Sequence, residues 1–84
     1  MTVSELSDET LTSISSGVGE SIRRIRKNQG MSQAELARRV GMRQPAITRL
    51  ERGHHVPTLR TLSRIADALD STVRVDIVSA ATIA

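Results

Sequence analysis

The 84-residue chain has no cysteine and no phenylalanine, tyrosine or tryptophan. Without cysteine it can form no disulfide and no thiolate zinc site, which fits a reducing compartment without requiring one. Without aromatic residues, Leu, Ile, Val, Ala and Met must do all the packing. A chain of this length is one domain at most, and a small aliphatic core supplies only about 3–5 kcal/mol. Oligomerisation is an ordinary remedy, so a dimer is expected before any motif is read. No apolar run approaches the roughly 20 residues that span a bilayer, and the first residues lack the basic-then-apolar order of a secretory signal. The expectation is a soluble, cytoplasmic protein with no membrane partner. Catalytic signatures are missing as well. There is no phosphate-cradling glycine loop, and the N-terminal serines have no patterned base or nucleophile elbow. His54 and His55 are adjacent and so point apart, with no carboxylate or thiolate at ligand spacing. No enzyme, metal or cofactor is expected.

What the chain does have is a concentrated positive centre. Its net charge of +3 hides a division into three parts. Residues 1–19 carry Glu5, Asp8 and Glu9 with no base. Residues 20–64 carry eleven Lys and Arg against Glu20, Glu35 and Glu51, and residues 65–84 carry Arg74 against Asp67, Asp70 and Asp76. Such a basic surface attracts polyanions through counterion release, and nucleic acid is the commonest of these inside cells. On charge alone, a solvated face remains the alternative.

The chain divides into an N-terminal arm (1–17), a compact centre (18–70) and a short tail (71–84). The arm is rich in Ser and Thr with sparse apolar residues; it reads as flexible, with a short helix around residues 7–14 as the alternative. Val18, Ile22 and Ile25 recur at helical spacing and predict a first helix over 18–29, stopped at Gly30. Ser32 followed by Glu35 is a capping-box pattern that starts a second helix, which buries Leu36, Ala37 and Val40 and ends at Gly41. A third helix runs from Arg43 or Gln44 to Arg52, with Pro45 in its first turn and Ile47 and Leu50 facing inward. Thr58 caps a fourth helix with an apolar stripe of Leu59, Leu62, Ile65, Ala66 and Leu69, and the methionines read as core filler. Beyond Leu69 the period changes to two, and Val73, Val75 and Ile77 predict a strand over 72–78. No second strand is legible. Its natural partner is therefore the same strand of another copy, which makes these three residues candidates for dimerisation.

Two short helices joined by a glycine turn, 32–40 and 43–52, match the helix-turn-helix unit, whose second helix reaches base edges with its N-terminal residues. The run Gly30-Met31-Ser32-Gln33-Ala34-Glu35-Leu36-Ala37, then Gly41-Met42-Arg43-Gln44-Pro45-Ala46-Ile47-Thr48-Arg49-Leu50-Glu51-Arg52-Gly53, closely resembles the Cro/cI-type, or XRE-like, repressor family. Val56-Pro57-Thr58-Leu59-Arg60-Thr61-Leu62 resembles that family's lead into its fourth helix. The resemblance covers residues 18–70 and implies an all-α, lambda-repressor-like bundle of four to five helices, here extended by the strand. It also implies roles. Gln33, with Ser32, stands where the family clamps a phosphate at a helix N-terminus. Gln44 stands where a base is read, and glutamine pairs bidentately with adenine; Arg49 suits guanine, and Thr48 a thymine methyl or a phosphate. Arg26 and Glu51 match a family ion pair that is structural. Arg43 departs from the family, which favours a small polar cap there, and is expected to contact phosphate or base. Arg52, His54, His55 and Arg60 flank the loop after the reading helix and are candidates for phosphate contact.

The strand in place of a fifth helix resembles the antitoxins of toxin–antitoxin modules, HipB above all and HigA more loosely. That resemblance implies a dimeric repressor that binds a palindromic operator, represses its own operon and neutralises a cognate toxin. A stand-alone or phage-type regulator is the alternative. From a different class comes a protein-interaction adaptor that keeps the fold without DNA binding.

Overall fold

The computed structural model describes residues 8–54 and 57–79. Among them are four helices: α1 (Asp8–Asn28), α2 (Gln33–Val40), α3 (Gln44–Glu51) and α4 (Leu59–Ala68). α3 packs against α1 and α2, and α2 also packs against α4. Leu36, Ile47, Leu50, Ile65 and Leu69 are almost completely buried where these helices meet. Ile22, Ala37, Val40 and Met31 complete the core, so one methionine does fill it. The outcome is an all-α fold. Although α1 has 21 residues, no described helix is long and apolar enough to cross a membrane.

α1 corrects the division at residue 17. It begins at Asp8, so residues 8–17 continue the first helix, in line with the alternative of a helix around residues 7–14 and not with a flexible arm; residues 1–7 lie outside the described residues. The pattern misled because the buried stripe of α1 is mostly small or polar, with Ile22 its one large apolar residue. Ser15, Gly19, Ile22 and Arg26 recur at helical spacing and are buried. Glycine costs a helix about 1 kcal/mol relative to alanine, but here tertiary packing overrides propensity. A Cβ on Gly19 would lie 2.3 Å from the Leu50 carbonyl oxygen and 2.7 Å from that of Glu51. Only glycine lets α1 lie this close to the end of α3.

The turn between α2 and α3 is set at both ends of α2. Ser32 Oγ accepts the Glu35 N–H at 3.0 Å. Glu35, however, does not complete a capping box: its carboxylate accepts from Arg38 and from Arg39, the latter at 2.7 Å. At the other end Gly41 takes φ 78° and donates its N–H to the Ala37 carbonyl at 2.9 Å. That left-handed conformation suits glycine, and it turns the chain directly into α3.

Thr58 caps α4 through a hydrogen bond from the Thr61 N–H, at 3.1 Å. Leu59 does not belong to the buried stripe; it is exposed at the helix start. After α4 the expected strand over 72–78 is absent: residues 71–79 take no regular secondary structure, and Val73, Val75 and Ile77 are exposed. The reason is physical. A strand exists only through hydrogen bonds to a neighbour, and the other described segments are helices and turns with no free edge to offer.

Candidate nucleic-acid interface

α3 has two faces. Ile47 and Leu50 anchor one in the core, while Arg43, Gln44, Pro45 and Arg49 are exposed on the other. Pro45 sits in the first turn, where its missing N–H interrupts nothing. Arg43 holds the cap position with an extended backbone but makes no side-chain capping bond, which leaves its guanidinium available. Gln44, Pro45, Thr48 and Arg49 together line a shallow depression on this surface.

Beneath that face a small polar network fixes α3 to the rest of the molecule. Arg26 donates from Nε to Glu51 Oε2 at 2.7 Å and from Nη2 to Oε1 at 2.9 Å. Its Nη1 donates to the Met31 carbonyl at 2.7 Å. The two side chains are 7 % and 3 % exposed, so this is a buried bidentate pair joining α1 to α3. Hydrogen bonding to Glu51 raises the Arg26 pKa above its ordinary value. Burial pushes the Glu51 carboxyl upward. Hydrogen bonds from Arg26 and Gln33, with the positive charges of Arg26 and Arg23, outweigh burial and hold it below its ordinary value.

Gln33 extends the network to α2. Its Nε2 donates to Glu51 Oε1 at 3.0 Å, and its Oε1 accepts from Thr48 Oγ1 at 2.9 Å. Thr48 Oγ1 also lies 3.2 Å from the Gln44 carbonyl. The hydroxyl proton of Thr48 is therefore committed within the protein. Gln33 keeps one amide N–H beyond its bond to Glu51, which suits a phosphate in front of it.

That phosphate would meet cations the sequence reading did not assign. A cleft of about 290 Å³ is lined by Arg23, Arg26, Lys27, Gln33, Thr48, Glu51 and Arg52. Glu51 is matched by Arg26, so Arg23, Lys27 and Arg52 leave the cleft positive. The structure thus brings Gln33, Thr48 and Arg52 together with three residues of α1, Arg23, Arg26 and Lys27. The signal that could have found Arg23 and Lys27 is their i, i+4 spacing with Arg26 one position before Lys27, which sets all three along one side of α1. Ser32, Arg43, His54 and Arg60 line neither depression, although all four are exposed. His54 is held by its backbone, whose N–H donates to the Arg49 carbonyl at 3.1 Å. His55 lies outside the described residues.

The chain is similar to known proteins over this region. The helix-turn-helix family model HTH_3 matches residues 22–75. Antitoxin HigA1 of Mycobacterium tuberculosis H37Rv is 44 % identical over 50 residues, covering 60 % of this chain and 34 % of that protein. The chain therefore spans about a third of that antitoxin. An uncharacterized HTH-type transcriptional regulator of Archaeoglobus fulgidus is 40 % identical over 52 residues, 62 % of this chain and 74 % of that protein. Among solved structures, an HTH_3 family transcriptional regulator from Vibrio cholerae matches with TM-score 0.70 and 27 % identity, over 74 % of this chain and 35 % of that one. A toxin–antitoxin module from Streptococcus pneumoniae matches with TM-score 0.65 and 25 % identity, over 92 % of this chain and 87 % of that one.

Proposed function

The chain belongs to the HTH_3 helix-turn-helix family, and from that premise we propose that it is a dimeric transcriptional repressor that reads a palindromic operator with residues 43–52. The observation that carries this reading is the division of α3. Ile47 and Leu50 anchor one face, and Gln44 and Arg49 are exposed on the other beside a positive cleft. Gln44 and Arg49, with Arg43 at the helix start, read base edges; the methyl of Thr48 meets a thymine. Gln33, Ser32 and Arg52 hold phosphates, with His54 and Arg60 further along the backbone, and so fix the register of the reading helix. Arg26 and Glu51 touch no DNA and hold α3 at its angle. Two copies place their reading helices about 34 Å apart, one turn of DNA.

An antitoxin role is supported by the similarity to HigA1 and to the pneumococcal module. On this reading the protein represses its own operon and neutralises a toxin encoded beside it.

A gel shift on the DNA upstream of its own gene tests the repressor. Specific binding that weakens steeply with salt is expected, whereas no binding at low salt would leave the interaction adaptor as the better reading. The antitoxin role is tested by co-expression with the adjacent gene: a toxic product whose toxicity this chain relieves supports it, and unrelieved or absent toxicity counts against it.

A further inference from the structure

The segment that follows α4 is largely bare: Val75 is 61 % exposed and Ile77 97 %. Val73, Val75 and Ile77 alternate with Arg74 and Asp76, so in an extended conformation the apolar side chains share one face and the charges the other. Val73 and Arg74 join the lining of an apolar groove of about 460 Å³ between α1 and α4, walled by Val18 and Ile25 on one side and Leu62 and Leu69 on the other. The groove follows α1 from Ile14 to Ile25, about 16 Å at the helical rise, and five extended residues span about the same length. Arg74 and Asp76 pair with each other at 3.6 Å, with side chains 87 % and 69 % exposed. In that setting each can exchange its present partner for another at little cost.

We propose that this segment pairs antiparallel with the same segment of a second copy in one register, with the two-fold axis through Val75. This rests on the dimeric-repressor reading and specifies its interface. Directly opposed residues of an antiparallel pair project to the same face, so an axis between two residues would set apolar side chains against charged ones. An axis through Arg74 opposes that arginine to itself, and one through Asp76 opposes two carboxylates; like charges directly opposite are destabilising. An axis through Val73 opposes Arg74 to Thr72 and leaves Asp76 beyond the segment, because Asp70 sits in the left-handed turn that closes α4 (φ 53°); one through Ile77 opposes Asp76 to Val78, and neither gives a charge its counterion. Only the axis through Val75 opposes Arg74 to Asp76 twice, Val73 to Ile77 twice, and Val75 to itself. The apolar face of this ribbon then covers both grooves, each of which is lined in part by its own Val73.

The test is charge reversal in the full chain, without DNA, read by sedimentation and native mass spectrometry. Arg74→Asp brings four carboxylates to the axis of a homodimer, and Asp76→Arg brings four guanidinium groups. Each raises the dimer Kd about tenfold or more. An equimolar mixture of the two variants assembles as the heterodimer, in which every opposed pair is again Asp against Arg, and the double reversal restores the homodimer. Both side chains are exposed, so the helical far-UV signal is unchanged in every variant. Reversals that leave the homodimers intact, or a mixture with no preference for the heterodimer, would overturn the register while the dimer stands. A wild-type chain that stays monomeric at high concentration would overturn both.

Discussion

Gly19 of α1 lies against the backbone of Leu50 in α3, so close that a Cβ there would sit 2.3 Å from the Leu50 carbonyl oxygen. Backbone cannot swing aside as a flexible side chain can. Gly19→Ala must therefore push α1 off α3, at about 1–3 kcal/mol for overpacking, which outweighs the gain in helix propensity. Gly17, two residues earlier in the same helix, has nothing within 4 Å of its would-be Cβ. Gly17→Ala should accordingly stabilise by about 0.5–1 kcal/mol. Urea unfolding followed by far-UV circular dichroism checks both, since the chain has no aromatic residue to fluoresce. Equal effects at the two positions would show that the close approach does not matter.

The same contact explains how much of the fold was legible. Short helices with apolar stripes and caps were readable because each carries its own punctuation: Ser32, Gly41, Pro45 and Thr58 all act where local chemistry places them. The first half of α1 was not, because its buried side is Ser15 and Gly19, small residues whose value lies in what they let approach. The candidate site divides the same way. Gln33, Gln44 and Arg49 were visible through family spacing, but Arg23 and Lys27 join the cleft only because α1 packs against α3. Glu35 shows the reverse error: its spacing from Ser32 fits a capping box, yet two arginines on its own helix outcompete a single backbone N–H.

Glu51 gives the fold an acid sensitivity whose sign follows from its environment. Its folded pKa is lowered from the ordinary 4.5, so its contribution is fully present above that value and is lost as the pH falls through the folded one. Glu51→Gln leaves Arg26 buried without its carboxylate and should cost about 3 kcal/mol at neutral pH. Below about pH 5 the wild-type advantage over this variant should shrink progressively. Urea midpoints measured from pH 7 down to pH 3 decide it; a difference that does not change with pH would refute the role of the Glu51 charge.

Base readers and phosphate holders should separate in binding experiments. Gln44→Ala and Arg49→Ala should each cost about 1–3 kcal/mol on the operator and relax the preference at one base pair. Arg23→Ala, Lys27→Ala and Arg52→Ala should weaken operator and unrelated DNA alike, each reducing the magnitude of the salt slope by about one. Gln33→Ala should also weaken all sequences alike, and it should lower the urea midpoint because it unties Glu51 from Thr48. Titrations at several salt concentrations, on an operator and on its single-base variants, would expose a wrong division if all six variants lost affinity equally on every sequence.

Deleting residues 72–84 tests whether the tail sets the distance between two reading helices. The deletion removes Val73, Val75 and Ile77, which are exposed in the single chain and belong to no buried cluster. The four-helix core should consequently survive, with its helical signal and urea midpoint close to those of the full chain. Light scattering should find monomers. Binding to an intact operator should fall steeply, because two half-sites held together act at an effective concentration that separate monomers do not reach. Binding to an isolated half-site should hardly change, since α3 and its cleft are untouched. That contrast matters: loss on both targets would mean that the tail supports the reading head itself, and a stable dimer after deletion would place the interface elsewhere on the helices.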